Sequence, residues 1–184
     1  MHRIPELSAD ILTPEQRAVH DAIVAGPRGK VEGPLRVWLQ SPKLAARAQE
    51  LGAFCRYHTT LPKRLSELAI LVTGAHWKAG FEWFVHAPEA IKAGIDAKVV
   101  DAIHAGKRPE LSRTDEAAVY DFSRELLEAH RVSDATYEQA AKELGATGVV
   151  ELVGILGYYG LISMTICAFN VPVPAGGVEP FPEQ

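Results

Sequence analysis

The sequence predicts an all-α protein. Helix starts recur as cap-plus-proline units at Thr13-Pro14 and Ser41-Pro42, and no segment alternates apolar and polar residues between turn signals as a half-buried strand would. With 184 residues and 47% apolar side chains the chain can bury one core without disulfides or structural metal. Residues 1–184 are therefore read as a single domain, with an N-terminal arm over 1–12 and an extended, proline-rich tail over 171–184.

Each helix has its own warrant. Thr13 as N-cap, Pro14 at the first helical position and Gln16 completing a capping box begin a helix running to about residue 25. A loop over 26–34 and a short stretch over 35–40 precede Ser41-Pro42, which opens a helix to about residue 57. Beyond Pro62, the spacing of Leu65, Leu68, Ala69, Leu71 and Val72 predicts an amphipathic or buried helix ending near Gly74. The helix after it, starting in His76-Trp77-Lys78, is expected to break at Ala87-Pro88, because proline disfavours helical geometry in the residue before it. Residues 89–93 would continue at a new angle, and further helices are expected over 97–105, 114–129, 134–144 and 147–169.

Residues 152–171 form a run of 20 without a charge, about the length that spans a bilayer. Three glycines, the polar Ser163, Thr165 and Asn170, and the lack of a flanking Lys/Arg cluster favour a buried core or subunit-interface helix instead. A weak internal echo, Glu-Leu ahead of small and branched residues, links 66–74 with 150–158 and suggests a duplicated helical plan.

A net charge of -4 leaves no basic footprint, which argues against nucleic acid and against an anionic membrane surface as partners. Small molecules and proteins remain. The two cysteines, Cys55 and Cys167, form no C-x-x-C and no zinc spacing, so they are read as buried thiols in a reducing compartment. The N-terminus lacks the apolar run of a secretory signal, and a cytoplasmic location is expected.

The chemistry concentrates in 76-HWKAGFEWFVH-86. Residues four apart share a helix face, so Lys78, Glu82 and His86 are expected to form a ladder in which the carboxylate fixes the imidazole tautomer and the other ring nitrogen exchanges protons. Trp77, Phe81, Trp83, Phe84 and Val85 surround the ladder, and partial desolvation of the charges would shift their pKa values. His76 either faces a pocket or closes a helix C-terminus. His76, Glu82 and His86 are metal-ligand types, but their spacing matches no familiar pattern, and no metal is expected. Glu67 sits amid apolar residues, either pairing with Arg64 at the surface or turning inward to orient a histidine. Tyr158 and Tyr159, on the apolar helix, read first as core tyrosines.

Pro62-x-Arg64-x-x-Glu67-Leu68-Ala69-Ile70-Leu71 followed by Glu82-x-x-x-His86, with Gly157-Tyr158-Tyr159 and Ala168-Phe169-Asn170-Val171-Pro172 near the end, resembles the carboxymuconolactone decarboxylase family over most of the chain. The resemblance implies an alkylhydroperoxidase D-like helical bundle and a homo-oligomer, trimer or hexamer, whose subunits share the active-site region. In the peroxidase branch of that superfamily a Glu-x(11)-Cys-x-x-Cys-x-x-x-His pattern supplies a redox dithiol. Glu67 and His86 fall in register with its Glu and His, but Ala79 and Glu82 stand where the cysteines would be, so dithiol chemistry is not expected.

The decarboxylase branch implies loss of carbon dioxide from a small cyclic carboxylate or lactone with no metal or organic cofactor. Under that resemblance His86 would donate a proton, Glu82 would hold it and Glu67 would support it from the next helix. Lys78, His76 or the helix start near Gly33-Pro34 would neutralise a substrate carboxylate, and Trp77, Trp83 and Tyr158 would wall the pocket. The alternatives are thiol-based antioxidant activity through Cys55 or Cys167, and a non-catalytic helical oligomer that binds a ligand.

Overall fold

In the computed structural model, which describes residues 3–5 and 7–182, helix starts fall largely where capping chemistry puts them. A 3-10 turn, Ala9–Ile11, leads into α1 (Pro14–Ala25), α2 (Pro34–Trp38), α3 (Pro42–Tyr57), α4 (Lys63–His76), α5 (Gly80–Lys92), α6 (Ala97–His104), α7 (Thr114–Ala129) and α8 (Asp134–Phe169). No strand occurs among the described residues. The capping box of α1 is complete: Thr13 Oγ1 accepts from the Gln16 amide at 3.3 Å, and Gln16 Oε1 accepts from the Thr13 amide at 3.0 Å. Ser41 precedes α3 as expected but makes no side-chain cap bond, so Pro42 alone marks that start.

The core is organised around α4. Every residue from Leu65 to Gly74 is buried, so this helix has no solvated face. It packs against α5, α7 and α8, and Arg64 in its first turn is tied to the start of α7 through Asp115 at 2.7 Å and Glu116 at 2.5 Å. That network satisfies Arg64 without Glu67, which is left to find a partner inside the protein.

Three expectations need correction around α5. First, α4 runs past Gly74 to His76, and α5 begins only at Gly80. Second, Lys78 lies in the intervening turn with φ of 50°, so it is not on the helix that carries Glu82 and His86 and the expected ladder loses its first rung. Third, α5 passes through Pro88 without ending. Proline there forfeits one helical hydrogen bond, to the Phe84 carbonyl, while Ala90 in the next turn is fully buried, and tertiary packing carries the helix onward.

In α8 the expected gap after residue 144 shrinks to one non-helical residue, Gly145, with φ 69° and ψ 172°. This is the one described helix long and apolar enough to cross a membrane, with a mean hydropathy of 1.8 and 56% of its most apolar window buried inside the protein. Its buried side packs on α3, α4, α5 and α7. The echo between α4 and α8 does not extend to their glutamates: Glu67 is buried, whereas Glu151 accepts from the Thr60 amide and hydroxyl at the surface, both at 2.6 Å.

Beyond Val171 the described residues form no helix, turn over residues 174–177 and return over α5 and α6. Phe181 packs edge-on to Trp83 with centroids 5.6 Å apart and lies 4.9 Å from the His104 ring, while His104 Nε2 donates to the Pro180 carbonyl at 2.9 Å.

Gly145 has a backbone conformation open to glycine almost exclusively, and a methyl group built there would meet nothing within 4 Å. Gly145→Ala is therefore expected to cost about 1–3 kcal/mol through backbone strain alone, read as a lowered denaturation midpoint with an unchanged slope.

Candidate functional site

Glu67 turns inward from α4 toward His86 on α5. Its Oε2 lies 2.7 Å from His86 Nδ1, and Glu82 Oε1, one turn earlier on α5, lies 2.9 Å from His86 Nε2. All three side chains are nearly sealed from solvent. Burial by itself would push the imidazole pKa down, but the Glu82 charge and the hydrogen bonds to Glu67 and Glu82 override it and raise the pKa to about 9. At neutral pH the ring is an imidazolium that donates from each nitrogen to a different carboxylate.

This arrangement corrects one expectation. With both ring nitrogens occupied, His86 has no free nitrogen with which to meet a substrate. Among the described residues no three His, Cys, Asp or Glu side chains are disposed around a common metal position, and the two nitrogens of His86 point to separate acids.

Glu82 and His86 form part of the wall of a cavity of about 480 Å³, within the range of small-molecule sites. Tyr158 and Tyr159 from α8 line it too, so these tyrosines serve more than the core. Tyr159 meets His86 edge-to-face with centroids 5.3 Å apart, and its hydroxyl pKa is driven well above the ordinary value, chiefly by burial. Tyr158, perpendicular to Tyr159 at 5.2 Å, accepts from Arg28 Nη2 at 3.1 Å, and burial pushes its hydroxyl up to about 12. The same pair explains Gly52 of α3: a Cβ there would lie 2.0 Å from the Tyr158 hydroxyl oxygen and 2.5 Å from Arg28 Nη2.

The other residues expected to bind substrate lie elsewhere. His76 and Lys78 line a second cavity, of about 520 Å³, together with His104, Arg124, Glu128 and the tail. Trp77 is partly exposed beside His76 and takes part in neither cavity wall. Trp83 is buried against His104 and Phe181, where it anchors the tail instead of walling the His86 cavity. The region of Gly33-Pro34 contributes Glu32, Pro34 and Leu35 to the wall, the last two from a helix of 5 residues.

Two arginines on the cavity wall, Arg28 and Arg56, carry no local sequence signal of that position. Arg28 sits in a glycine-rich loop and Arg56 in the last turn of a helix, both ordinary places for a solvated charge; only the return of α8 against α3 encloses them.

No protein-family model and no curated protein sequence matches the chain. Solved structures do match it in shape. An alkylhydroperoxidase AhpD core, an uncharacterized peroxidase-related protein from Ralstonia eutropha JMP134, superposes with a TM-score of 0.75 at 15% identity, covering 95% of this chain and 93% of that one. An uncharacterized peroxidase-related protein from Silicibacter sp. TM1040 gives 0.75 at 12%, covering 95% and 92%. A variant of the debrominase Bmp8 in complex with 2,3,4-tribromopyrrole gives 0.73 at 13%, covering 92% and 90%. At such low identities the likeness speaks for the fold alone: the chain has the alkylhydroperoxidase D-like all-helical fold.

Proposed function

We propose that this chain is a cofactor-independent acid–base enzyme that decarboxylates, or moves a proton on, a small cyclic carboxylate or lactone. The observation that carries the reading is a histidine with each ring nitrogen on a different buried carboxylate, at the wall of a cavity of substrate size. Such a group holds a proton in dry surroundings and passes it along a fixed hydrogen bond. When a lactone acid loses carbon dioxide, the bonding electrons spread into its unsaturated carbonyl system as a dienolate. The Nε2 proton of His86 then travels through the Glu82 carboxyl to the dienolate carbon, which leaves Glu82 ionised and His86 neutral, its Nδ1 proton held by Glu67. Solvent restores the proton. In the opposite direction Glu82 takes a proton from a carbon acid, so the same relay serves isomerisation.

Thiol chemistry has less support. Burial pushes the Cys55 thiol up to about 11 and Cys167 above its ordinary value, so neither is an activated thiolate, and neither lines the Glu82–His86 cavity. A homo-oligomer belongs to the same proposal, with exposed Leu51 and Phe54 of α3 and Val150 and Val153 of α8 offering an apolar face for subunit contact.

Activity is tested by following carbon dioxide release from carboxylated muconolactone and related lactone acids. Glu82→Gln and His86→Gln are each expected to lower turnover about 100-fold or more while the far-ultraviolet circular dichroism stays helical. Turnover that survives both changes excludes the relay. Calorimetric binding of these acids without conversion by the unaltered protein would favour a non-catalytic ligand-binding role.

The charge state of His86 also predicts a pH dependence of stability. Its folded pKa, about 9, lies above the ordinary value of 6.5, so its contribution is complete below pH 6.5 and is lost as pH rises through 9. Denaturation of the protein and of His86→Gln across pH 6–10 should show a stability gap that narrows by up to roughly 3 kcal/mol toward the alkaline end. A gap that widens with pH would mean that His86 is buried neutral.

A further inference from the structure

The wall of the cavity that holds Glu82 also carries two arginines, Arg28 and Arg56. Arg28 reaches across from the loop after α1, donates from Nη2 to Tyr158 at 3.1 Å and packs against Gly52. Its Nε is closed off from solvent with no hydrogen-bond acceptor. None of the ion pairs among the described residues includes Arg28 or Arg56. Arg56 lies over the Tyr57 ring at 5.4 Å and senses Glu67 and Glu82 only through space. The remaining charges on the wall are committed: Lys30 pairs with Glu32 at 2.7 Å, and Glu89 with Lys63 at 2.6 Å.

A guanidinium on a cavity wall with no carboxylate partner is poised to bind an anion, and it is the side chain whose planar N–H edge fits a carboxylate. We propose that Arg28, with Arg56 on the same wall, is the anion anchor of this cavity: the two guanidinium groups, neither held in an ion pair, donate to a carboxylate of the ligand, while Tyr158 fixes the Arg28 guanidinium plane and Glu82 faces the reacting carbon. The proposal deepens the acid–base reading given above and rests on it for the identity of the reacting end. It transfers the task expected of Lys78 and His76 to residues from a different part of the chain. It also implies that the arginine-held carboxylate is retained in the product, because pairing with Arg28 stabilises its charge where it is, whereas decarboxylation must move that charge into the ring.

The test uses benzoate as the anionic ligand and benzamide as its neutral counterpart, titrated calorimetrically into the full-length protein. Benzoate is expected to bind in clear preference to benzamide, and Arg28→Gln should weaken benzoate by roughly tenfold or more, the equivalent of one charge-assisted hydrogen bond, with benzamide unchanged. Arg28→Lys, which keeps the charge but loses the fork, should recover only part of the loss. Arg56→Gln, read by the same titration, gives a second measure should Arg28→Gln fail to fold, and it too should weaken benzoate selectively. Failure of the native protein to prefer benzoate, or benzoate affinity left at the native value in both glutamine variants, overturns the anchor. Glu82→Gln separates the two readings: lost turnover with intact arginine-dependent benzoate binding supports both. Arginine-dependent binding with turnover unaffected by Glu82→Gln leaves the anchor standing and removes the relay.

Discussion

Three ionisable side chains enclosed in the core of a helical domain can persist only if they satisfy one another. Glu67, His86 and Glu82 do so in a line, carboxylate to imidazolium to carboxylate, at 2.7 and 2.9 Å. Removing any one of them strands a buried charge, and breaking such pairs costs about 3–5 kcal/mol, a large share of what holds a domain of this size together. Much of the architecture is arranged around that constraint. The all-round burial of α4 puts Glu67 where water cannot reach it, and the two-helix junction at Gly80 sets α5 so that Glu82 and His86 face the same interior.

The line of charges also joins structure to chemistry. An imidazolium held from both sides has a fixed plane and a defined proton on each nitrogen, and Tyr159 packed edge-on against it leaves little room for another rotamer. Preorganisation of this kind lets a proton move without solvent rearrangement. Under the proposed relay, the carboxylate at the cavity side is the group that a ligand meets, and the histidine is the proton store behind it. Arg28 and Arg56 line the same cavity as Glu82 and His86, so its wall carries both signs of charge.

Long-range contacts assign roles that local patterns misplace. His76, Trp77 and Lys78 are neighbours of Glu82 in sequence, yet a turn of a few residues between α4 and α5 carries two of them to a different cavity and leaves Trp77 part-exposed. Trp83 lies beside Glu82 in the chain but faces a different side of the helix, where it receives the returning tail through Phe181. Adjacent residues on a helix point about 100° apart, so nearness in sequence is poor evidence for sharing a pocket.

Helix content, most helix boundaries and the pairing of Glu82 with His86 were legible in the sequence, because capping, proline position and four-residue spacing are local effects whose physics is complete within one or two turns. The choice between Arg64 and His86 as the partner of Glu67 was not legible. It depends on α7 arriving to take Arg64 through Asp115 and Glu116, which leaves Glu67 to α5. The continuation of α5 through Pro88 and the enclosure of Arg28 against Tyr158, 130 residues away, were decided in the same way. The free energies that settle them come from burial and pairing between segments distant in the chain, and those exist only once the helices have packed.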